Sequence, residues 1–276
     1  MAQTINTNVM SLNAQRNLNV TNNLMSTSIQ RLSTGLRVNS AKDDAAGLAI
    51  AERMNSQIKG MNVAMRNASD GISLAQTAEG ALGKVGEMAQ RMRELAVQSA
   101  NVTNNDTDRG ALDLEYQQLA EEITRTLAGT EFNDLAITGG DAGELDFQIG
   151  AGTTDNDVIT VTTQDLTAEA TITAVTGGDI TDVANSQTAM DNIDEMLTTV
   201  NTERATYGAV QNRFEAVIST LLISSENQSA ARGRIMDADF ASETANLTRA
   251  QVLQQAGTAV LSQANAAPQN VLSLLR

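Results

Sequence analysis

Apolar residues recur at helical spacing near both ends of the chain. Steps of three, four and seven residues place them on one stripe of a helix. The first stripe consists of Ile5, Val9, Leu12, Leu18, Met25, Ile29, Leu32 and Leu36. The last stripe consists of Leu253, Ala256, Val260, Ala264, Ala267, Val271 and Leu274. We therefore predict a terminal helix at each end, the first stopping at Gly35 and the last capped by Asp237.

A much longer helical segment follows the first terminal helix. Ser40 and Asp43 have the spacing of a capping box, and the helix they open keeps its apolar period to about residue 100. About 55 residues at ~1.5 Å each would span about 80 Å, and a period kept over so many heptads favours coiled-coil-like packing. Small residues on this stripe predict close approach of neighbouring helices; they are Gly60, Ala64, Ala75, Gly83 and Gly86.

The rest of the chain divides at turns and by composition. A turn at 104–106 precedes a third helix that ends near Gly129, and helical spacing returns from Met190 to about Gly233. Between them, residues 133–182 are rich in Gly, Asp and Thr. Alternating stretches at 145–149 and 158–161 predict short strands or hairpins there.

These patterns predict a mainly α protein, an elongated antiparallel bundle of long helices with coiled-coil helices at the termini and a small insert rich in β-hairpins. The predicted segments are a terminal helix 1–42, long helices 43–132, an insert 133–185, a long helix 186–236 and a terminal helix 237–276. Because the chain runs out and back, we expect its two ends to lie together.

Charge is distributed unevenly along the chain. Every acidic residue lies within 43–243, while residues 1–42 contain four basic residues and 244–276 contain two. The ends therefore carry +6 and the middle, with 12 basic and 33 acidic residues, carries −21, which together give the net −15. Charge is depleted where surfaces meet, so the two ends are predicted to pair with each other and with copies of the chain. A monomeric helical bundle is the alternative, although its solvent-facing helices usually carry Glu and Lys.

The composition argues against several other functional classes. The chain has no Cys and no His, which removes disulfides, thiolate and imidazole metal sites and Ser-His-Asp triads. We predict no enzyme, no cofactor and no metal. The acidity argues against nucleic acid, whose phosphates require clustered Lys and Arg. No window approaches the ~18 apolar residues of a membrane span, and residues 1–30 lack a basic region followed by an apolar one, so no secretory signal is expected there.

Three blocks of sequence resemble the bacterial flagellin family. They are LSTGLRVNSAKDDAAGLAIAE at 32–52, QRMRELAVQSAN at 90–101, and the run from Arg234 to Leu275 that begins RIMDADFASETANL. The resemblance covers both ends and leaves only about 135–185 unmatched. It implies a short flagellin with a reduced outer domain, a homopolymeric subunit of the extracellular filament used in motility. A hook–filament junction protein, which shares the tube-forming ends, is the alternative within this class.

The resemblance also implies an arrangement and a set of partners. The terminal segments would form an inner coiled-coil tube with copies of the chain, the long helices a shell around it, and the insert would face outward. The stripe residues of both ends would be the subunit interface. Export would run unfolded through the flagellar type III channel, with an export chaperone and the cap and junction proteins as partners.

A receptor surface is the last feature that the resemblance implies. Arg91, Leu95 and Gln98 follow one helical face, and with Glu115 on the neighbouring helix they match the site that a Toll-like receptor of animal hosts recognises in flagellins. From the residues alone, the same block is equally a packed seam with solvated ends. Both interpretations can hold, because a packing surface is hard to alter.

Overall fold

The computed structural model describes residues 7–273, with side chains to residue 266, and is mainly α, as predicted. The helices of this part of the chain are α1 (Val9–Thr34), α2 (Ala45–Ser99), α3 (Asp106–Ala128), α4 (Ala170–Thr176), α5 (Val183–Met236) and α6 (Phe240–Ser273). Its strands are β1 (Glu131–Phe132), β2 (Leu135–Ala136), β3 (Glu144–Gln148) and β4 (Val158–Thr162). None of these helices is apolar over a stretch long enough to cross a bilayer.

Local sequence determines most helix ends. Gly35 follows α1 with φ 72°, the left-handed conformation that glycine adopts without strain, and its amide donates to the carbonyl of Arg31. Asn105 caps α3 in a reciprocal capping box with Asp108. At the other end of the same loop, the buried guanidinium of Arg109 donates to the carbonyls of Ser99, Asn101 and Asn104. These bonds satisfy carbonyls that the end of α2 leaves free.

Two predicted caps are wrong by a few residues. Ser40 and Asp43 do bond to each other, but they close a turn before the helix. Asp44 caps α2, accepting from the amide of Gly47 at 2.8 Å. Asp239 rather than Asp237 caps α6, since it accepts from the amide of Ala241. Asp237 instead forms an antiparallel bridge with Leu36.

The insert contains two antiparallel hairpins. Strands β3 and β4 pair from Glu144 opposite Thr162 to Gln148 opposite Val158, which confirms the two predicted strands. The shorter β1–β2 hairpin turns at Asn133 and Asp134, with φ 52° and 63°. Asn and Asp tolerate this conformation best among non-glycine residues. Neither this hairpin nor the helix α4 was predicted from the sequence.

The described residues form two compact units, 7–56 with 227–273, and 57–226. The finer division into five segments stays a prediction. In the unit 57–226, α2 and α5 lie antiparallel, as Arg93 pairs with Asp194 and Glu79 with Arg204 further along. Its core joins α2, α3, α4, α5 and the insert. The largest fully buried side chains of this core include Tyr116, Tyr207, Leu82 and Met92, while Phe214 is buried in a second cluster of the same unit.

Small residues allow close approach at some of the predicted positions. A Cβ added at Gly60 would lie 2.7 Å from the Cβ of Ala151, which belongs to the loop after β3 and not to a helix. Ala64 and Ala75 are buried. The prediction is wrong for Gly83 and Gly86, where an added Cβ would meet nothing within 4 Å. The tightest helix contact lies elsewhere on α2, at Gly71, whose added Cβ would lie 2.7 Å from two ring atoms of Phe214.

Candidate interaction surfaces

Helices α1 and α6 form an antiparallel pair. Asn8 donates to the carbonyl of Ala264 at 2.7 Å, and further along Gln254 donates to the side chain of Asn22 at 3.0 Å. The described beginning and end of the chain therefore lie side by side, as expected from the sequence.

The residues that α1 and α6 turn toward each other follow a heptad. Spacings of three and four alternate on both helices, which is the pattern of a coiled-coil seam. Apart from Arg31 beside the seam, the buried or half-buried positions of α1 are Ser11, Ala14, Leu18, Thr21, Met25, Ser28 and Leu32. Those of α6 are Glu243, Leu247, Ala250, Gln254, Gly257, Leu261 and Ala264. Many of these side chains are small or polar, and a Cβ added at Gly257 would lie 2.8 Å from Cδ2 of Leu18.

The predicted apolar stripes therefore combine two different surfaces. Leu18, Met25, Leu32 and Ala264 lie on the seam, and Leu36 packs with Val38 beyond the end of α1. The remaining described members are exposed; they are Val9, Leu12, Ile29, Leu253, Ala256 and Val260. Ile5 and Leu274 lie outside the described residues, as do the side chains of Ala267 and Val271.

Large apolar side chains cover the outside of the α1–α6 pair. Val9 is 67% exposed, Leu12 52% and Val260 57%. The full set, which we call the outer apolar residues, consists of Val9, Met10, Leu12, Val20, Leu24, Ile29, Phe240, Val252, Leu253 and Val260. A monomeric protein rarely exposes so much apolar surface without a partner.

One charged cluster interrupts the seam. Glu243 is 7% exposed and accepts from the hydroxyl of Ser28 at 2.9 Å and from the guanidinium of Arg31 at 2.8 Å. The bond from Arg31 is the main reason that the pKa of the Glu243 carboxyl lies below its usual value. No periodicity or motif in the sequence marks this cluster, although Glu243 is the last acidic residue of the chain.

A second surface lies on α2 and α3. The guanidinium of Arg91 donates to Glu115 at 2.8 Å and to Glu94 at 2.9 Å, and all three side chains are about half exposed or more. These bonds raise the pKa of Arg91 and keep it charged, and the bond with Glu115 has the larger effect. Gln98 is also exposed. The structure thus brings together Arg91 and Glu115, which the resemblance had paired.

Leu95 does not belong to this surface in the way that was expected. Its side chain is 1% exposed and lies in the core of the unit 57–226. The prediction that Leu95 offers an apolar contact beside Arg91 is wrong for the folded chain, because α2 turns this residue inward. Exposed apolar groups on the same two helices are instead Val97, 50% exposed, and Leu114, 71% exposed.

Comparison with known proteins connects these surfaces to a family. The model of the bacterial flagellin N-terminal helical region matches residues 5–140, and that of the C-terminal helical region matches residues 190–275. A flagellin of Halalkalibacterium halodurans is 48% identical over 99% of both chains. The flagellin of Bacillus subtilis is 39% identical over 99% of both.

Further relatives agree in sequence and in structure. A flagellar filament 30.7 kDa core protein of Treponema maltophilum is 39% identical over 98% of this chain and 99% of its own. The crystal structure of Bacillus cereus flagellin aligns with a TM-score of 0.50 and 32% identity, covering 60% of this chain and 94% of its own. The chain belongs to the bacterial flagellin family and is a structural, non-enzymatic subunit of the extracellular flagellar filament that serves motility.

Proposed function

We propose that the outer apolar residues of α1 and α6 are the contacts through which this subunit joins its copies in the filament. The observation that carries this proposal is the exposure of large apolar side chains on two helices with very little charge. Within their described residues, α1 contains the cations Arg16 and Arg31, and α6 contains Glu243 and Arg249. Burying the outer apolar residues in the polymer removes about 25 cal/mol of unfavourable hydration for each Å² covered.

The proposed arrangement assigns a place to each part of the chain. Segments 1–42 and 237–276 line the inner tube, 43–132 and 186–236 form the shell around it, and 133–185 faces outward. The stripe residues that lie on the α1–α6 seam, such as Leu18 and Ala264, hold the pair together. The exposed stripe residues, such as Leu12 and Val260, contact neighbouring copies.

A single exposed position tests this assignment. Val260→Gln replaces an outer apolar residue with a polar one of larger size, and its 57% exposure predicts little effect on the free chain. Filament growth from added seeds, followed by light scattering and negative-stain imaging, is expected to fall strongly. Ser262→Gln is the matched control, since Ser262 is exposed on the same helix and already polar. Normal growth of the Val260→Gln variant would contradict the proposed interface.

The same family membership supports a route of export. We propose that the chain leaves the cell unfolded through the flagellar type III channel, assisted by an export chaperone, and assembles between the junction and cap proteins. Secretion is expected to stop when the flagellar export apparatus is deleted and to continue when the general secretion pathway is inhibited. The opposite pattern would refute the route.

Relatives named as flagellins match over whole chains, which favours a filament subunit over a junction protein.

The surface around Arg91 supports a further proposal about animal hosts. We propose that Arg91, Gln98 and Glu115 contact the flagellin-sensing Toll-like receptor, while Leu95 supports the helix from the core. Arg is frequent at interface hot spots, where its loss costs about 2 kcal/mol or more. The support is the exposed, charge-paired guanidinium and its match to the family motif.

Two arginines on the same helix make a matched test. Arg91→Ala is expected to weaken receptor signalling by the monomer at least about tenfold. Arg93→Ala removes a guanidinium of similar exposure that pairs with Asp194 instead, and it is expected to signal like the wild type. Equal loss in both variants would show that general charge or helix stability, rather than this site, is being measured. Full signalling by Arg91→Ala would refute the assignment.

A further inference from the structure

The seam between α1 and α6 has little packing that distinguishes one register from another. Seven of its fourteen positions are Ser, Thr, Ala or Gly. A shift by one heptad moves one helix about 10.5 Å along the other and brings similar positions face to face again. Such a shift would break the close contact of Leu18 with Gly257 and the hydrogen bond of Asn22 with Gln254. It would also break the backbone bridge of Leu36 with Asp237 beyond the end of α1. All of these contacts join neutral groups, and a charged determinant would discriminate more strongly between registers.

The charged cluster of the seam supplies one. Glu243 lies at a seam position with its side chain 9% exposed, and the guanidinium of Arg31, 29% exposed, reaches it at 2.8 Å. Ser28, 6% exposed, donates to the other carboxylate oxygen at 2.9 Å. The Nε of Arg31 is buried and has no hydrogen-bond partner among the described residues. Burying this N–H without a partner costs free energy, so the gain in stability from the cluster does not by itself explain why the cluster is there.

Only the observed register pairs this carboxylate. Glu243 is the single acidic residue of α1 and of the described part of α6. After a shift of one heptad it would lie near Thr21 and Leu24 in one direction, or past the end of α1 in the other. The other cation of α1, Arg16, is exposed and off the seam. A shift toward Thr21 would therefore bury the carboxylate with no cation beside it, which is strongly unfavourable. A shift in the other direction would lose the bonds from Ser28 and Arg31.

We propose that Ser28, Arg31 and Glu243 act as a register lock, which selects the single alignment in which α1 and α6 present their outer apolar residues. A single polar group at a coiled-coil seam is known to specify register in this way. The lock concerns the alignment of two helices within one chain, so it does not depend on filament formation.

Disulfide trapping reads the alignment directly. The chain has no Cys, so an introduced pair is the only one present. Asn22→Cys with Gln254→Cys joins side chains that now touch at 3.0 Å and reports the native register. Asn22→Cys with Leu247→Cys or with Leu261→Cys reports a shift of one heptad in either direction. The intramolecular disulfide is measured on the unassembled full chain by its mobility on a non-reducing gel.

Charge reversal tests the lock in these backgrounds. Arg31→Glu and Glu243→Arg are each expected to lower the native disulfide about fivefold or more and to raise a shifted one, since each opposes like charges in the seam. The double reversal restores an opposite pair and is expected to restore the native disulfide. Arg16→Glu is the matched control, because it changes the net charge of α1 equally but points outward.

Three results would overturn the lock. One is a native disulfide that survives Arg31→Glu unchanged. Another is loss of the native disulfide without any rise in the shifted disulfides, which would show that the cluster stabilises the helix pair but does not select its register. The third is a wild-type background that never forms the native disulfide. None of these results bears on whether the chain polymerises, which the seeded-growth experiment measures separately.

Discussion

Gly71 offers the sharpest test of how the long helices pack. The substitution Gly71→Ala adds a Cβ that would lie 2.7 Å from two ring atoms of Phe214 and 3.3 Å from a third. That ring is fully buried and packs edge-on against Phe147, with centroids 5.4 Å apart. The Phe214 ring is rigid and in contact with Phe147, so it cannot move away from the added Cβ as the end of a long flexible side chain could.

Two opposing contributions determine the size of the effect. Replacing Gly by Ala in a helix interior favours folding by about 1 kcal/mol, and overpacking a filled core costs about 1–3 kcal/mol. Gly71→Ala should therefore lower the free energy of unfolding by up to about 2 kcal/mol. Gly80→Ala, nine residues further on α2, meets nothing within 4 Å. It should show only the favourable contribution and raise stability by up to about 1 kcal/mol.

The assay follows tyrosine fluorescence during urea unfolding. The chain has no Trp and two tyrosines, and Tyr116 and Tyr207 both lie in the core of the unit 57–226. The signal therefore reports the unit in which both substitutions lie. Equal stability of Gly71→Ala and Gly80→Ala would contradict this packing, because the added Cβ would then have found room beside Phe214.

Three further predictions follow from other contacts. Leu95→Ala should lower the free energy of unfolding by about 2–5 kcal/mol, whereas Arg91→Ala, at the surface, should change it by no more than about 0.5 kcal/mol in the same urea assay; equal effects would contradict the burial of Leu95. The lowered pKa of Glu243 means that its stabilising bonds to the α1–α6 pair are present above its unfolded pKa and are lost as pH falls through the folded one. Helicity measured by circular dichroism should thus decline less between neutral and acid pH in Glu243→Gln than in the wild type, and parallel curves would refute this. Burial raises the pKa of Tyr116 and of Tyr207 to about 12, so ionisation followed by ultraviolet absorbance should begin only in strong alkali, and a transition near the ordinary value would contradict it.

Sequence periodicity predicted the long helices well but could not assign their faces. The apolar period of α2 is correct to within a residue or two at its end, since an uninterrupted pattern over 55 residues leaves no alternative. Leu95 and Arg91 are four residues apart on that helix, so they share a face in any helical projection. Whether the boundary of the core passes between them depends on the angle at which α3 packs, which is a tertiary property.

The remaining errors have similar causes. Asp237 and Asp239 are both able to cap a helix, and the choice falls to Asp239 because Asp237 pairs with Leu36, distant in sequence. At the ends of the chain, a stripe such as that of Leu12 and Leu18 looks uniform in sequence. In the structure Leu18 lies on the seam and Leu12 faces outward. The sequence pattern shows which residues are apolar, but it does not show which neighbouring surface each of them contacts.

Because the seam of the α1–α6 pair consists largely of small and polar residues, we expect the stability of the pair to depend on protein concentration. Half of the seam positions are Ser, Thr, Ala or Gly, whereas many of the Val, Leu and Ile side chains of both helices face outward. A pair built this way gains more from a neighbouring subunit than from itself, so its folded fraction should rise with protein concentration. If the outer apolar residues are the proposed interface, we expect the pair to be less stable in the free chain than in the filament, and growth to be easier on an existing end than in solution. A weak internal seam thereby favours long polymers over many short ones.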